Sequence, residues 1–188
     1  MIYQFYMGIT IAAVCFMPNV VNAATVTDLQ FKPTTISVAR HFTLHTARVV
    51  AKDPWSGVET TWIPINVIKK TLREVGIVTK WNRLGTSFTL VTYPPGNTKA
   101  ALGDPEALPA SPNEIQYNLV AGAPPSGDMP KLVAKDPLTC TNTVYMPIWY
   151  LNHEILNHYW NMRSIWNGIT NVWSLDFTPF IWTENTGK

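Results

Sequence analysis

His153, Glu154 and His158 are the residue types with which a metalloprotease helix holds zinc and activates water. That motif needs histidines at i and i+4 on one helix face. These two are five apart, which is about 140° around a helix of 3.6 residues per turn. The group therefore reads as solvated or edge side chains. His41 and His45, four apart in a stretch read as strand, would share one face of a sheet, and no third ligand stands near them in the sequence. No Gly-x-Ser-x-Gly elbow is present, and no glycine-rich phosphate loop follows a strand. The 12 acidic residues are too few, spread over two small modules, to suggest the deep cleft of a glycosidase. The expectation is a protein that is not an enzyme, with no catalytic residue, no cofactor and no metal site.

The aromatic residues offer a different chemistry. Trp55 lies in a turn, and Trp149-Tyr150 lie early in a helix, where adjacent side chains point about 100° apart, so one of the two should reach the surface. Exposed rings suit stacking on sugars or docking on another protein. The competing reading is that Trp55, Trp149 and Tyr150 pack between the two halves of the chain. Trp81, Trp166 and Trp173 stand at repeat positions and are read as core.

The chain around these residues is globular in composition, 46% hydrophobic and 14% charged over 188 residues. Its 14 Lys+Arg against 12 Asp+Glu, without a basic run, give no footprint of nucleic-acid binding. Residues 1–23 read as a secretory signal: an apolar stretch from Met7 to Met17, the breaker Pro18, and Val21-Asn22-Ala23 before a cut at Ala24. The alternative is an uncleaved anchor, although the apolar run falls well short of the ~20 residues a span requires. No other segment reads as transmembrane. Of the two cysteines, Cys15 leaves with the signal, and any bridge through Cys140 would be intermolecular, giving a dimer.

Self-comparison supplies the most specific pattern. Val50-Ala51-Lys52-Asp53-Pro54 recurs as Val133-Ala134-Lys135-Asp136-Pro137, and Pro64-Ile65 as Pro147-Ile148, all at an offset of 83. The match resumes at an offset of 85, where Trp81-Asn82 becomes Trp166-Asn167 and Phe88 faces Trp173. Asp53 to Gly57 reads as a turn with Asp accepting backbone hydrogen bonds and Gly57 left-handed; Cys140 takes that place in the second copy. Thr60–Ile63 and Thr143–Met146 read as strands, Pro64 and Pro147 as helix starts, and Ile68, Leu72 and Val75 as a buried stripe ended by Gly76. Asn161 stands at the place of Gly76 in copy two. Leading strands are expected at Thr35–Leu44 and Ile115–Val120, and closing hairpins follow each helix. The expected fold class is α+β: two tandem small modules, each an antiparallel sheet covered on one face by a single short helix. Their bounds are 24–93 and 114–179, with a Pro/Gly-rich linker at 94–113 and a tail at 180–188.

This order of elements resembles the copper amine oxidase N-terminal-like stalk domain, a module of exported and cell-surface proteins of Gram-positive bacteria. In copy two the resemblance rests on Thr143-Val144-Tyr145-Met146-Pro147-Ile148 and Ile165-Trp166-Asn167-Gly168. In copy one it rests on Trp62-Ile63-Pro64-Ile65, Leu72, Gly76, Trp81 and Asn82. It implies a secreted or surface-attached, non-catalytic stalk or interaction module, and no copper site. The partner would be a cell-envelope protein. The alternative is binding of a wall polysaccharide through the exposed aromatics of the second copy.

Overall fold

A computed structural model describes residues 29–39, 41–82, 86–92, 111–119, 125–158, 160 and 162–176. The signal 1–23, the linker up to residue 110, the terminator Asn161 and the tail 180–188 lie outside the described residues. The fold class is α+β, with strands dominant and two helices among the described residues.

The first half runs β1 (Gln30–Val38), β2 (Phe42–Lys52), β3 (Glu59–Pro64), α1 (Ile65–Glu74), β4 (Ile77–Trp81) and β5 (Ser87–Thr92). The second runs β6 (Glu114–Asn118), β7 (Gly127–Pro130), β8 (Leu132–Lys135), β9 (Asn142–Pro147), α2 (Ile148–Tyr150), β10 (Arg163–Asn167) and β11 (Val172–Asp176). The expected strand Thr35–Leu44 is instead a hairpin tip. β1 ends at Val38, Ala39 turns at φ +44°, and β2 starts at Phe42. His41 is consequently in the turn and does not share a strand with His45.

Local signals act where the residues require them. Pro64 and Pro147 end their strands and directly precede the helices, where the absent N–H breaks no helical bond. The α1 stripe of Ile65, Ile68, Leu72 and Val75 is buried, and Gly76 follows at φ +78°, a conformation in which a Cβ is strained. The second helix departs from this pattern. After Tyr150 it widens into a π-helical segment, Leu151–Asn157, with i→i+5 bonding.

The strands form a seven-stranded sheet, β10-β11-β1-β2-β3-β9-β8, and a four-stranded sheet, β4-β5-β6-β7. The sheets are therefore not assigned one to each half. β5 pairs in parallel with β6, matching Phe88 to Tyr117, and β11 pairs in parallel with β1, matching Trp173 to Ile36. Each half's closing hairpin thus lies against the leading strand of the other. At the centre β3 and β9 run antiparallel with Trp62 opposite Pro147, Ile63 opposite Met146 and Pro64 opposite Tyr145. At the sequence offset of 83, Ile63 corresponds to Met146, the residue it faces. The pairing is therefore symmetric about that contact. β2 is continuous through both sets of partners, whereas the corresponding stretch of the second half breaks at Lys131 into β7 and β8, one strand in each sheet.

Packing explains the interleaving. A unit of about 60 residues buries too little of its own surface to be secure. Here one continuous core takes Ile36 and Trp173 from one sheet, Phe88, Leu90, Ile115 and Met129 from the other, and Ile68, Leu72, Leu151 and Ile155 from the helices. Alternation along β3 and β9 sends Ile63 and Met146 into that core and Trp62 and Tyr145 to a smaller cluster with Val49 and Ala134 on the opposite face. Trp173 is fully buried, as its repeat position suggests. Its indole N–H reaches Asn152 Oδ1 at 3.1 Å and Ser164 Oγ at 2.9 Å. Trp81 and Trp166 are only partly buried at the edge of the core.

Candidate interaction surface

The turn that carries Trp55 is built around one carboxylate. Asp53 is 4% exposed, and its Oδ1 accepts the Trp55 backbone N–H at 2.9 Å while its Oδ2 accepts the Ser56 hydroxyl at 2.8 Å. The Gly57 N–H returns to the Asp53 carbonyl at 2.8 Å, and the Asp53 N–H donates to the Val58 carbonyl at 2.8 Å. Gly57 closes the loop at φ +72°. The second copy repeats the geometry: Asp136 accepts the Leu138 N–H at 2.7 Å, and the Cys140 N–H reaches the Asp136 carbonyl at 2.8 Å. Cys140 does this at φ +55°, in the left-handed region that glycine occupies in the first copy.

Asp53 also accepts from the other half of the chain. The Tyr150 hydroxyl donates to Oδ2 at 2.8 Å across 97 residues of sequence. Burial alone would raise the Asp53 pKa, but the hydrogen bonds from Trp55, Tyr150 and Ser56 hold it below the ordinary carboxylate value. Burial, the bond to Asp53 and the negative charges of Asp53 and Glu154 push the Tyr150 phenol up to about 12. The neutral phenol is the hydrogen-bond donor throughout the physiological range.

This latch gathers the three aromatic residues that the sequence singles out. The Trp55 ring meets Tyr150 edge to face, with centroids 5.4 Å apart and planes at 83°; Trp149 does the same at 5.0 Å and 81°. His153 stacks on Trp149 at 4.7 Å and 25°. The Trp55 indole N–H reaches Glu114 Oε1 at 3.3 Å, which adds a contact from β6. Of the helical pair, Trp149 is the residue at the surface, 49% exposed, while Tyr150 is half-buried; Trp55 is 47% exposed. Tyr150 thus packs between the halves, and Trp55 and Trp149 flank it with ring surface in water.

His153 is engaged with Trp149, and His158 lies just past the π-helical segment Leu151–Asn157. Among the described residues, no group of three or more His, Cys, Asp or Glu is placed to hold a metal ion. His45 Nδ1 instead faces Thr35 Oγ1 at 3.1 Å. No described helix is long and apolar enough to cross a membrane.

Two features of this region lie outside the sequence reading. Glu114 carries no signal there, because pairing across 59 residues leaves no local pattern. Asp53 reads as a turn residue, and its bond to Tyr150 is not repeated at the equivalent place in the first copy's helix, where Val67 stands for Tyr150; Asp136 acts instead on Tyr145, whose phenol burial and the Asp136 charge push up. The chain matches no family model, no curated protein and no solved structure.

Proposed function

We propose that this chain is a non-catalytic, exported stalk or surface-interaction protein, made of a duplicated module whose copies have interleaved, and that it contacts an envelope component through the Trp55–Tyr150–Trp149 patch. The repeated Asp turns and Pro-started helices, together with the resemblance to copper amine oxidase N-terminal-like domains, support the duplication and the location outside a Gram-positive cell. The observation that carries the function is the patch. Two indoles from opposite halves are held half-exposed on either side of a tyrosine fixed by Asp53.

A wall polysaccharide is the second reading, and the size of the patch favours it. Two half-exposed indoles offer on the order of 200 Å² of ring surface, and covering that releases a gross ~5 kcal/mol before association entropy is subtracted. A protein interface generally needs more than about 1,000 Å² in total. Weak individual contacts suit a repetitive polymer, where several copies of the protein bind side by side.

Sedimentation of the mature protein with purified cell walls, and separately with extracted envelope proteins, tests both readings. Trp55→Ala and Trp149→Ala should each abolish retention, while Ile169→Ala, at a site 93% exposed on the β10–β11 turn, should leave it unchanged. Retention by walls stripped of protein selects the polysaccharide. Retention equal in all three variants sinks the patch as the contact.

A further inference from the structure

The seven-stranded sheet contains a buried charge that makes no ion pair among the described residues. Arg48 lies in the apolar run Ala47-Arg48-Val49-Val50 of β2 and is 7% exposed. Its guanidinium carries five N–H donors. Nη1 donates to Thr61 Oγ1 at 3.0 Å, Nη2 to Asn171 Oδ1 at 2.6 Å, and Nε is buried with no partner. The face of the group lies 5.1 Å from the Trp166 ring. All these partners are neutral. Among the described residues no carboxylate forms an ion pair with Arg48; Glu59 acts on it only at longer range, and burial pushes its pKa down. A buried guanidinium is costly without a counter-ion, and a duty confined to tying β2 to β3 and to the β10–β11 turn needs no charge.

Beside this group is a cleft of about 290 Å³ whose walls include Lys32, Arg48, Glu59, Thr61, Trp166 and Val50. Lys32 and Arg48 against Glu59 leave a lining charge of +1. A monoanion balances that charge. A phosphate ester, at about −1.5 to −2 near neutral pH, exceeds it and meets repulsion from Glu59. The planar fork of arginine matches a carboxylate, and Trp166 and Val50 provide apolar surface for what the carboxylate is attached to.

We propose that this cleft binds a small aliphatic monocarboxylate, its oxygens on Arg48 and Lys32 and its carbon chain against Trp166. The site is separate from the aromatic patch and does not depend on it.

The test follows the Arg48 Nε–H resonance of the full-length protein by NMR during titration with propionate, with propionamide as the neutral isostere, and with inorganic phosphate. Propionate should produce a saturable shift, propionamide none, and phosphate a weaker response than propionate. Lys32 and Glu59 are both exposed, so their substitution leaves the fold in place. Lys32→Gln should weaken propionate binding roughly fivefold and Glu59→Gln should strengthen it by a similar factor, as expected for removing one partly screened charge. No saturable response to propionate, an equal response to propionamide or phosphate, or binding unaltered by both substitutions would overturn the assignment.

Discussion

Replacing Cys140 by glycine should stabilise the protein. Cys140 sits at φ +55° in a turn whose first-copy counterpart, Gly57, sits at φ +72° with the same backbone bond, 2.8 Å in each, to the aspartate carbonyl. A residue with a Cβ loses roughly 1–2 kcal/mol in that conformation relative to glycine. Glycine in turn gives back about 0.4–1 kcal/mol through the larger freedom of the unfolded chain. The net is a gain of roughly 0.5–1 kcal/mol, which for a protein of this size raises Tm by about 1–4 °C. Urea unfolding under reducing conditions measures it without interference from intermolecular disulfides. Cys140→Ala is the necessary companion, because it removes the thiol and keeps the Cβ, so it should give none of the gain. Gly57→Ala should lose about the same amount. A Cys140→Gly variant that is no more stable than the alanine variant would refute the strain argument.

Removing the latch hydroxyl with Tyr150→Phe should cost roughly 1–2 kcal/mol, since it strips a donor from a buried carboxylate; chemical denaturation reads this directly. Because Asp53 is held below its ordinary pKa, its contribution is present above about pH 4 and is lost as pH falls through the lower folded value. With one donor gone that loss should begin at higher pH, visible as an acid-unfolding midpoint shifted upward. At the other extreme the phenol is pushed up to about 12 from the usual value near 10, so its stabilising effect is complete below pH 10 and disappears between the two; burial raises Tyr145 and Tyr117 as well, so the difference between the ultraviolet titrations of the wild type and Tyr150→Phe isolates this phenol, and the variant should lose amplitude near pH 12 and none near pH 10. The interleaved sheets also predict that residues 24–93 and 114–179, made as separate chains, are each poorly folded, and regain cooperative unfolding when mixed. Independent, complete folding of either piece would contradict the shared core.

How much of this is readable in the sequence differs by kind of signal. Asp53, Gly57, Pro64, Leu72 and Gly76 act through their own backbone or one helical turn, so their roles follow from residue type and spacing. Which strand pairs with which does not. Alternation along β5 states that Phe88 and Leu90 face a core, but the partner strand β6 lies across a proline-rich stretch, and nothing in either segment names the other. The π-helical segment is equally hidden, because a two-residue offset between the copies is equally consistent with a longer loop. Arg48 leaves a trace that can be followed. A lone charged residue inside the apolar end of a strand must find partners, and none is adjacent in sequence. The aromatic patch is legible as three residues hard to bury, whereas their meeting depends on the Asp53–Tyr150 bond.

The parallel pairing of β1 with β11 has a mechanical consequence. The first and last described strands lie side by side and run in the same direction, so tension applied through the two ends of the chain pulls them along their length in opposite senses. The load falls on all the hydrogen bonds of the pair together, in shear, instead of opening them one after another as in a hairpin pulled from its free ends. The strands to be slid apart also carry Ile36, Val38, Trp173 and Leu175, all within the core, so neither can slip without exposing it. Traction on the chain would meet its greatest resistance at the strands that receive the force first.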